Sequence, residues 1–523
     1  MALFLLNLAY LTALLLCTSR LALRIASRAR RTRSVPRKRS TVLLTGSDPA
    51  VLATARALKS EGHIVLIADT ERLPYLNALR YSLAVSRFIR LPAPVPPAKG
   101  RKGLFARLPF RDPKPSPPLS ALLPKLITAH NISLWIPFSL PGPRTSHEAT
   151  SSAVRTSTFC SIISPSPAIS TLSKPRPFAA FVSSLETGIR VPKPETVNSR
   201  AEIHSRLWAA KHAPFVLTRQ PRRRDSGMAS PLRAALPALT TSNPGPAGAE
   251  REAETKTLTL PPAGSAAPVD ACYAAVAVLP ISPAQPWAMA RVLSGVPAVA
   301  SALISRGRVA VFSASTSATP LTYIPGQAEP APVLADMTPV AADSKVSAAL
   351  LSFVRAWAAG LNRLEGGEGA FHASFKFLVE EGEGERVWPL GVSFDPAPAL
   401  ALQAAADPKA ARVLGAAYAA AAAGALDGET LLLPRAGKAR RAYSLPPSVL
   451  NLVVRPWVRM WLLQESPMGV LRGWKRMAER VLGGEWREEM WSARDPGPWV
   501  WRWGVQTPVE WSLGGVGWAF GRR

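Results

Sequence analysis

Cysteine is almost absent from this chain of 523 residues: there are three, Cys17, Cys160 and Cys272, far apart. An odd, scattered set argues against a disulfide framework and fits a reducing compartment. Histidine is scarce too. The six, His63, His130, His147, His204, His212 and His372, form no H-x-x-x-H pair and no Cys/His ligand set, so a zinc site has no sequence signature. There is no G-x-S-x-G elbow and no Walker loop, which removes the usual signatures of α/β-hydrolases and P-loop nucleotidases. Acidic residues number 34 against 63 basic ones, a net charge of +29. That balance attracts anionic membrane, nucleic acid or acidic partners, and says nothing about fold. Proline is what the chain has in excess. Its 52 prolines are about twice the usual share, so a good part of the chain reads as loop or disorder. Apolar residues at 47% still suffice for real cores. The length leaves room for roughly three domains of about 150 residues.

The N-terminus stands apart. Met1–Ser19 has no charged side chain, and nine basic residues follow between Arg20 and Arg39, with no acid before Asp48. A membrane span needs about 20 apolar residues, and this run reaches that length through Leu21–Leu23. A secretory signal has its basic residues before the apolar run; here they come after. We read residues 1–23 as a single-pass transmembrane anchor, with the bulk of the chain cytosolic by the positive-inside rule. A cleaved signal and an interfacial helix are the alternatives. Residues 24–40 read as a basic juxtamembrane linker, solvated or drawn to anionic lipid. Nucleic acid ranks below lipid as a partner, because no aromatic residues are interleaved for base stacking.

Residues 41–150 carry a β-α-β-α-β order. "TVLLT" reads as a buried strand and "DPAVLATARALKS" as a helix capped by Ser47 or Asp48, with Pro49 in its first turn. Gly62 suits the helix end, and "HIVLIAD" reads as a second strand. "FIRLPAP" (88–94) and "ISLWIPFS" (132–139) supply further strands around a Pro/Lys/Arg/Gly-rich insertion at 95–118. This order implies a doubly wound parallel sheet.

Residues 151–402 carry strand-like runs at 214–219, 274–281, 299–305, 309–315, 371–379 and 386–394, several of them paired through short turns as in an antiparallel sheet. A disordered insertion is expected at about 220–269. Residues 400–426 are alanine-rich and expected to be helical. The region 403–523 is expected to be helical and holds ten of the fifteen tryptophans, all beyond Leu445. Its Trp, Leu and Val residues at helical spacing either pack on the core or lie on a membrane surface.

The first domain poses the question of a dinucleotide site. G-x-G-x-x-G lets the backbone approach a pyrophosphate at a helix N-terminus. Here only Gly46 is present; Asp48 puts negative charge where the phosphate would sit, and Pro49 removes a donor. Asp69 stands at the place of a ribose-binding acid, and it reads better as a strand-end residue.

Several segments taken in order resemble the ATP-grasp superfamily. "LSKPRPFAAFVSSLETGIRVPKPETVNSRAEI" (172–203) resembles the segment D-K-x-x-F…G-L-x-V-P-x-T, and "PFVLTR" the phosphate-binding strand. "PWAMARVLSG" (286–295) resembles the hinge strand Q-E-F-I-x-G; "FHASFKFLV" and "VWPLGVSFDPAP" stand where the two metal-binding strands would be. The resemblance covers roughly residues 41–520 and lies in the order of segments. It implies a pre-ATP-grasp Rossmann-like domain at 41–150, then a two-lobed ATP-grasp-like domain at 151–402. The relatives it points to are carbamoyl-phosphate-synthase-like and amino-acid-ligase-like proteins.

In that family ATP lies between two α+β lobes. Lysines neutralise its phosphates, the hinge backbone reads adenine, and carboxylates on two strands hold Mg²⁺. The resemblance therefore implies a cofactor site at Lys174, Arg219, the hinge residues Arg291, Val292 and Leu293, and Lys376, with Asp395 as the one candidate metal ligand. The sequence departs from the pattern. Thr218 stands where the phosphate lysine belongs, Ala290 and Arg291 replace Gln and Glu, Lys376 replaces a metal carboxylate, and Gly391 and Ser393 replace Glu and Asn. A lysine at a metal position repels Mg²⁺. The expectation is a membrane-anchored, ATP-grasp-like protein that binds a nucleotide weakly or acts as a scaffold. The alternatives are an active carboxylate–amine ligase using unusual residues, and a membrane-surface or nucleic-acid binder working through its basic segments.

Overall fold

The computed structural model describes residues 39–71, 76–92, 118–139, 144–185, 194–209, 214–219, 257–260, 268–282, 287–317, 321–324, 337–365, 369–380, 386–395, 398–423, 431–433, 441–443, 466–482, 486–488 and 495–507, with single residues between. The anchor expected over residues 1–23, nearly all of the basic linker and most of the two expected insertions lie outside them. Among the described residues, no helix is long and apolar enough to cross a membrane.

The first elements are β1 (Thr41–Thr45), α1 (Pro49–Ser60), β2 (Ile64–Thr70), a 3₁₀ turn (Ala78–Tyr81), β3 (Arg87–Leu91), α2 (Leu119–Ala129), β4 (Leu134–Pro137), α3 (Arg144–Ser157) and β5 (Ser161–Ile162). The five strands form one parallel sheet in the order β3-β2-β1-β4-β5. The continuous apolar run of β1 fits this place. Val42 and Leu44 enter one core cluster and Leu43 the other, so both faces are covered. Pro49 opens α1, where its missing N–H costs nothing. Gly62, at φ +92°, follows Glu61 at the end of the helix.

Next come α4 (Pro167–Thr171), α5 (Pro175–Ser184), β6 (Glu195–Val197), α6 (Arg200–Ala209), β7 (Phe215–Arg219), β8 (Thr257–Leu260), α7 (Pro268–Ala277) and β9 (Trp287–Arg291). The strands β6 to β9 form an antiparallel sheet in the order β6-β9-β7-β8. Two expectations are corrected here. The run 274–281, read as a strand, enters helix α7: Cys272, Val276 and Leu279 are buried while Tyr273 and Val278 are exposed, which is helical periodicity and not alternation. The insertion expected to reach 269 ends sooner. Thr257–Leu260 pairs with β7, and Leu260 is fully buried in the core of this unit.

The remaining elements are β10 (Leu293–Ser305), β11 (Arg308–Ser317), β12 (Leu321–Tyr323), β13 (Met337–Pro339), α8 (Lys345–Glu365), β14 (Ala370–Glu380), β15 (Arg386–Ser393), α9 (Pro398–Ala406), α10 (Pro408–Ala423), β16 (Leu431–Leu433), β17 (Arg441–Tyr443), α11 (Pro467–Leu482), β18 (Trp486–Glu488) and α12 (Gly497–Trp501), which runs into a π-helical turn (Arg502–Gln506). The path β13-β11-β10-β14-β15 is antiparallel; β12 pairs with β10, and β16 adds parallel to β11. One face of this sheet packs on α8 in an aromatic core, where Trp357 meets Phe375 edge-on at 4.9 Å. The helical stretch expected over 400–426 is two helices, broken at Asp407, whose carboxylate accepts from Lys409 N–H. Both helices pack on α1. Trp499, Trp503, Met477 and Met490 join the same core as Leu52 and Leu58. Trp499, Trp503 and the inner side of α11 therefore pack on the first sheet's helical layer.

Candidate functional site

One segment links the two antiparallel sheets. β9 ends at Arg291 in the smaller sheet, and β10 begins at Leu293 in the larger one. The single residue between them, Val292, donates its N–H to Pro214 O at 2.8 Å. Beyond it, Gly295 is held so close to β14 that a Cβ would collide with the Val379 carbonyl oxygen.

The face of the larger sheet opposite its aromatic core is polar. Across an antiparallel sheet, directly paired residues share a face. The register aligns Ser313, Ser301, Ser374 and Ser393 in one row over β11, β10, β14 and β15. The next row towards the hinge reads Ser315, Val299, Lys376 and Gly391. The intervening residues Ala298, Ala300, Phe375 and Phe377 are buried in the aromatic core, as strand alternation requires.

At the β11 end this face is closed. Ser313 Oγ donates to Gln403 Oε1 from α9, and Gln403 Nε2 donates to Ser315 Oγ at 3.1 Å. In the middle, Ser301 Oγ and Ser374 Oγ lie 3.4 Å apart. At the β15 end it is open: Ser393 Oγ donates to the Asp395 carboxylate, and Asp395 is exposed. Near the hinge, Arg291 Nη2 lies 3.1 Å from Glu380 Oε1, and Trp388 Nε1 donates to Glu380 Oε2 at 3.2 Å.

The structure places the expected residues as follows. Arg291, Val292 and Leu293 form the passage between the two sheets. Lys376 is half-buried in mid-β14, directly opposite Gly391, and Asp395 follows β15. Arg219 ends β7, paired with Trp287. Lys174 is exposed at the start of α5, a helix that packs on β15. Sequence reading missed Glu380 as the partner of Arg291, and Gln403 and the serine row altogether. The alternation of Ser313 and Ser315 on an apolar strand is a signal for a polar face. Only the register shows that four strands share it.

The end of the parallel sheet is built differently. Gly46 has φ +116°, and a Cβ there would lie 2.5 Å from Ser139 Oγ. Asn77 Nδ2 donates to Asp69 Oδ2 at 3.1 Å, and Arg80 forks onto Glu71 at 3.2 and 2.7 Å. Burial pushes the Asp69 carboxyl above its usual range, with hydrogen bonds from Thr70 and Ser47 acting against the shift and Asp48 and Glu71 adding to it. Three acids crowd this edge, and Asp69 is spent on the turn after β2.

No family model matches the chain, and no curated protein matches it in sequence. Among solved structures it is similar to an N5-carboxyaminoimidazole synthetase from Staphylococcus aureus (9% identity, TM-score 0.37, covering 75% of this chain and 79% of that one). It is similar to an L-amino acid ligase from Bacillus licheniformis (11% identity, TM-score 0.35, 73% and 75%). It is similar also to a phosphoribosylamine–glycine ligase from Thermotoga maritima (12% identity, TM-score 0.34, 76% and 78%).

Proposed function

We propose that this chain is an ATP-grasp-like protein whose cleft takes a nucleotide weakly and without chemistry, the bulk of the chain being held at a membrane by residues 1–23. The observation that supports it best is the passage of Trp287–Ser305 from the small β-α-β-β-α-β unit, through Val292, onto the polar face of the larger sheet. That arrangement fits the order of segments the sequence shares with the superfamily. The backbone of Arg291–Leu293 is the surface for adenine, and Lys376, in the row beside the serines, is the cation for phosphate oxygens.

The residues present do not fit the Mg²⁺ that the family implies. Mg²⁺ takes carboxylate or phosphate oxygens. The paired positions on β14 and β15 are Lys376 and Gly391. Glu380 is engaged by Arg291 and Trp388, and Asp395 is a lone exposed carboxylate. Among the described residues no group of three His, Cys, Asp or Glu side chains is placed to hold a metal. What these residues offer is binding: the Lys376 ammonium can meet anionic oxygens, while the hydroxyls of Ser313 and Ser393 are already committed to Gln403 and Asp395.

Thermal unfolding with ATP and ADP, with and without Mg²⁺, tests this reading. A rise in Tm that does not need Mg²⁺ is expected, with no ADP release when amino acids are added. No shift at any nucleotide concentration would remove the nucleotide reading. A shift that requires Mg²⁺, together with ADP release, would make the chain an active ligase.

A further inference from the structure

Helix α11 has three kinds of surface. Val470, Gly473 and Met477, spaced by three and four residues, are buried, and Met477 sits in the core shared with α1. From the edge of that face round to the opposite side, Trp474, Leu471 and Met468 are 45%, 61% and 56% exposed. Spaced by three at about 100° per residue, they step by roughly 60° each and spread over an arc of about 120°. Lys475 projects within that arc, between Met468 and Leu471, and Arg472 and Arg476 lie beyond it; all three are exposed, with Glu479 the only exposed acid described on the helix. Exposed Leu or Met residues scattered singly need no explanation; three on one helix, one of them Trp, beside three cations, do.

We propose that α11 lies on an anionic bilayer surface, with Met468, Leu471 and Trp474 in the acyl–headgroup boundary and Arg472, Lys475 and Arg476 among the headgroups. A helix that lies in the interface plane combines an apolar face carrying Trp and Leu with a Lys/Arg-rich polar face. The charges choose the occupant. An apolar protein groove would leave three cations unpaired, whereas an anionic surface pairs all three and attracts a chain of net charge +29. The buried face fixes α11 to the folded body, so the arc is presented without any ordering of the helix on binding. This surface is separate from the nucleotide cleft, and it adds to whatever hold residues 1–23 supply.

The test is an environment-sensitive NBD label on the full chain at M468C, mixed with vesicles of phosphatidylcholine alone or with phosphatidylserine. The expected result is a blue shift and quenching by lipid-borne nitroxide on the phosphatidylserine vesicles, much weaker on phosphatidylcholine. Changing Arg472, Lys475 and Arg476 to Gln together is expected to lower the lipid-bound equilibrium of the label about fivefold for each charge removed. Trp474→Glu abolishes the shift while far-UV circular dichroism stays unchanged. A label that stays in water on both kinds of vesicle overturns the proposal, even if the chain still sediments with them. A blue shift that needs no lipid and grows with protein concentration also overturns it, in favour of a second copy of the chain.

Discussion

Arg291, the last residue of the small sheet before Val292, pairs with Glu380, the last residue of β14, at 3.1 Å. The side chains are 38% and 28% exposed, so solvent screens the pair. A double-mutant cycle with Arg291→Ala and Glu380→Gln, read by denaturant unfolding, is expected to give a coupling of about 0.5–1 kcal/mol. The larger effect expected is on the hinge: Glu380→Gln frees the guanidinium beside the proposed adenine surface. Nucleotide affinity then changes by more than stability does, and calorimetric titration of the variant measures it.

His372 is wholly buried on β14, with Nε2 3.3 Å from the Tyr418 hydroxyl and no hydrogen-bond partner for Nδ1 among the described residues. Burial lowers its pKa from 6.5 to about 4. The unfolded chain therefore binds a proton that the folded one refuses between those values, and stability falls as pH drops from 6.5 towards 4. The loss is about 3 kcal/mol at full extent. His63, lowered mainly by burial, acts in the same direction. Asp69, raised mainly by burial, acts in the opposite one: its contribution is present at low pH and is lost as pH rises through its folded pKa. Unfolding midpoints of the parent and of His372→Phe between pH 4 and 7 check this; the variant is expected to show a flatter profile.

Asp495 holds the C-terminal segment to the first unit. Its carboxylate accepts from Arg56 Nε at 2.9 Å, Ser82 Oγ at 2.5 Å and Leu83 N–H at 2.9 Å, and Arg56 also donates to the Asp495 and Met490 carbonyls. Asp495→Ala strands a mostly buried guanidinium. It is expected to destabilise by about 3 kcal/mol and to raise protease cleavage near residue 495, visible by mass spectrometry.

Gly46→Ala separates the two readings of the opening motif. With φ +116° and Ser139 2.5 Å from the new Cβ, the substitution is expected to cost on the order of 1–3 kcal/mol of stability. Nucleotide affinity per folded molecule is expected to stay unchanged, because the proposed cleft is on the larger sheet. A selective loss of affinity in titrations of folded Gly46→Ala would move the nucleotide to the parallel sheet.

Much of the chain's local structure was legible. The run Val42-Leu43-Leu44 announces a strand covered on both faces, Pro49 and Gly62 bracket a helix, and "FHASFKFLV" alternates as a strand should. Misreadings occurred where a short segment carries weak periodicity. The residues 274–277 are apolar enough for a strand, and only burial at Cys272, Val276 and Leu279 shows a helix. Thr257–Leu260 sits in a polar stretch and becomes a strand by pairing with β7.

By itself the sequence determined its charge, its scarcity of cysteine and histidine, and the order of apolar runs, because each depends on residue type and near-neighbour spacing. The tertiary structure decided what those runs face. Arg56 meets Asp495 across 439 positions, and Arg291 meets Glu380 across 89. Ser313, Ser301, Ser374 and Ser393 form a row only because four strands pair in one register. A one-residue slip of any of them would turn its serine into the aromatic core, and nothing in the local spacing of these serines records that register.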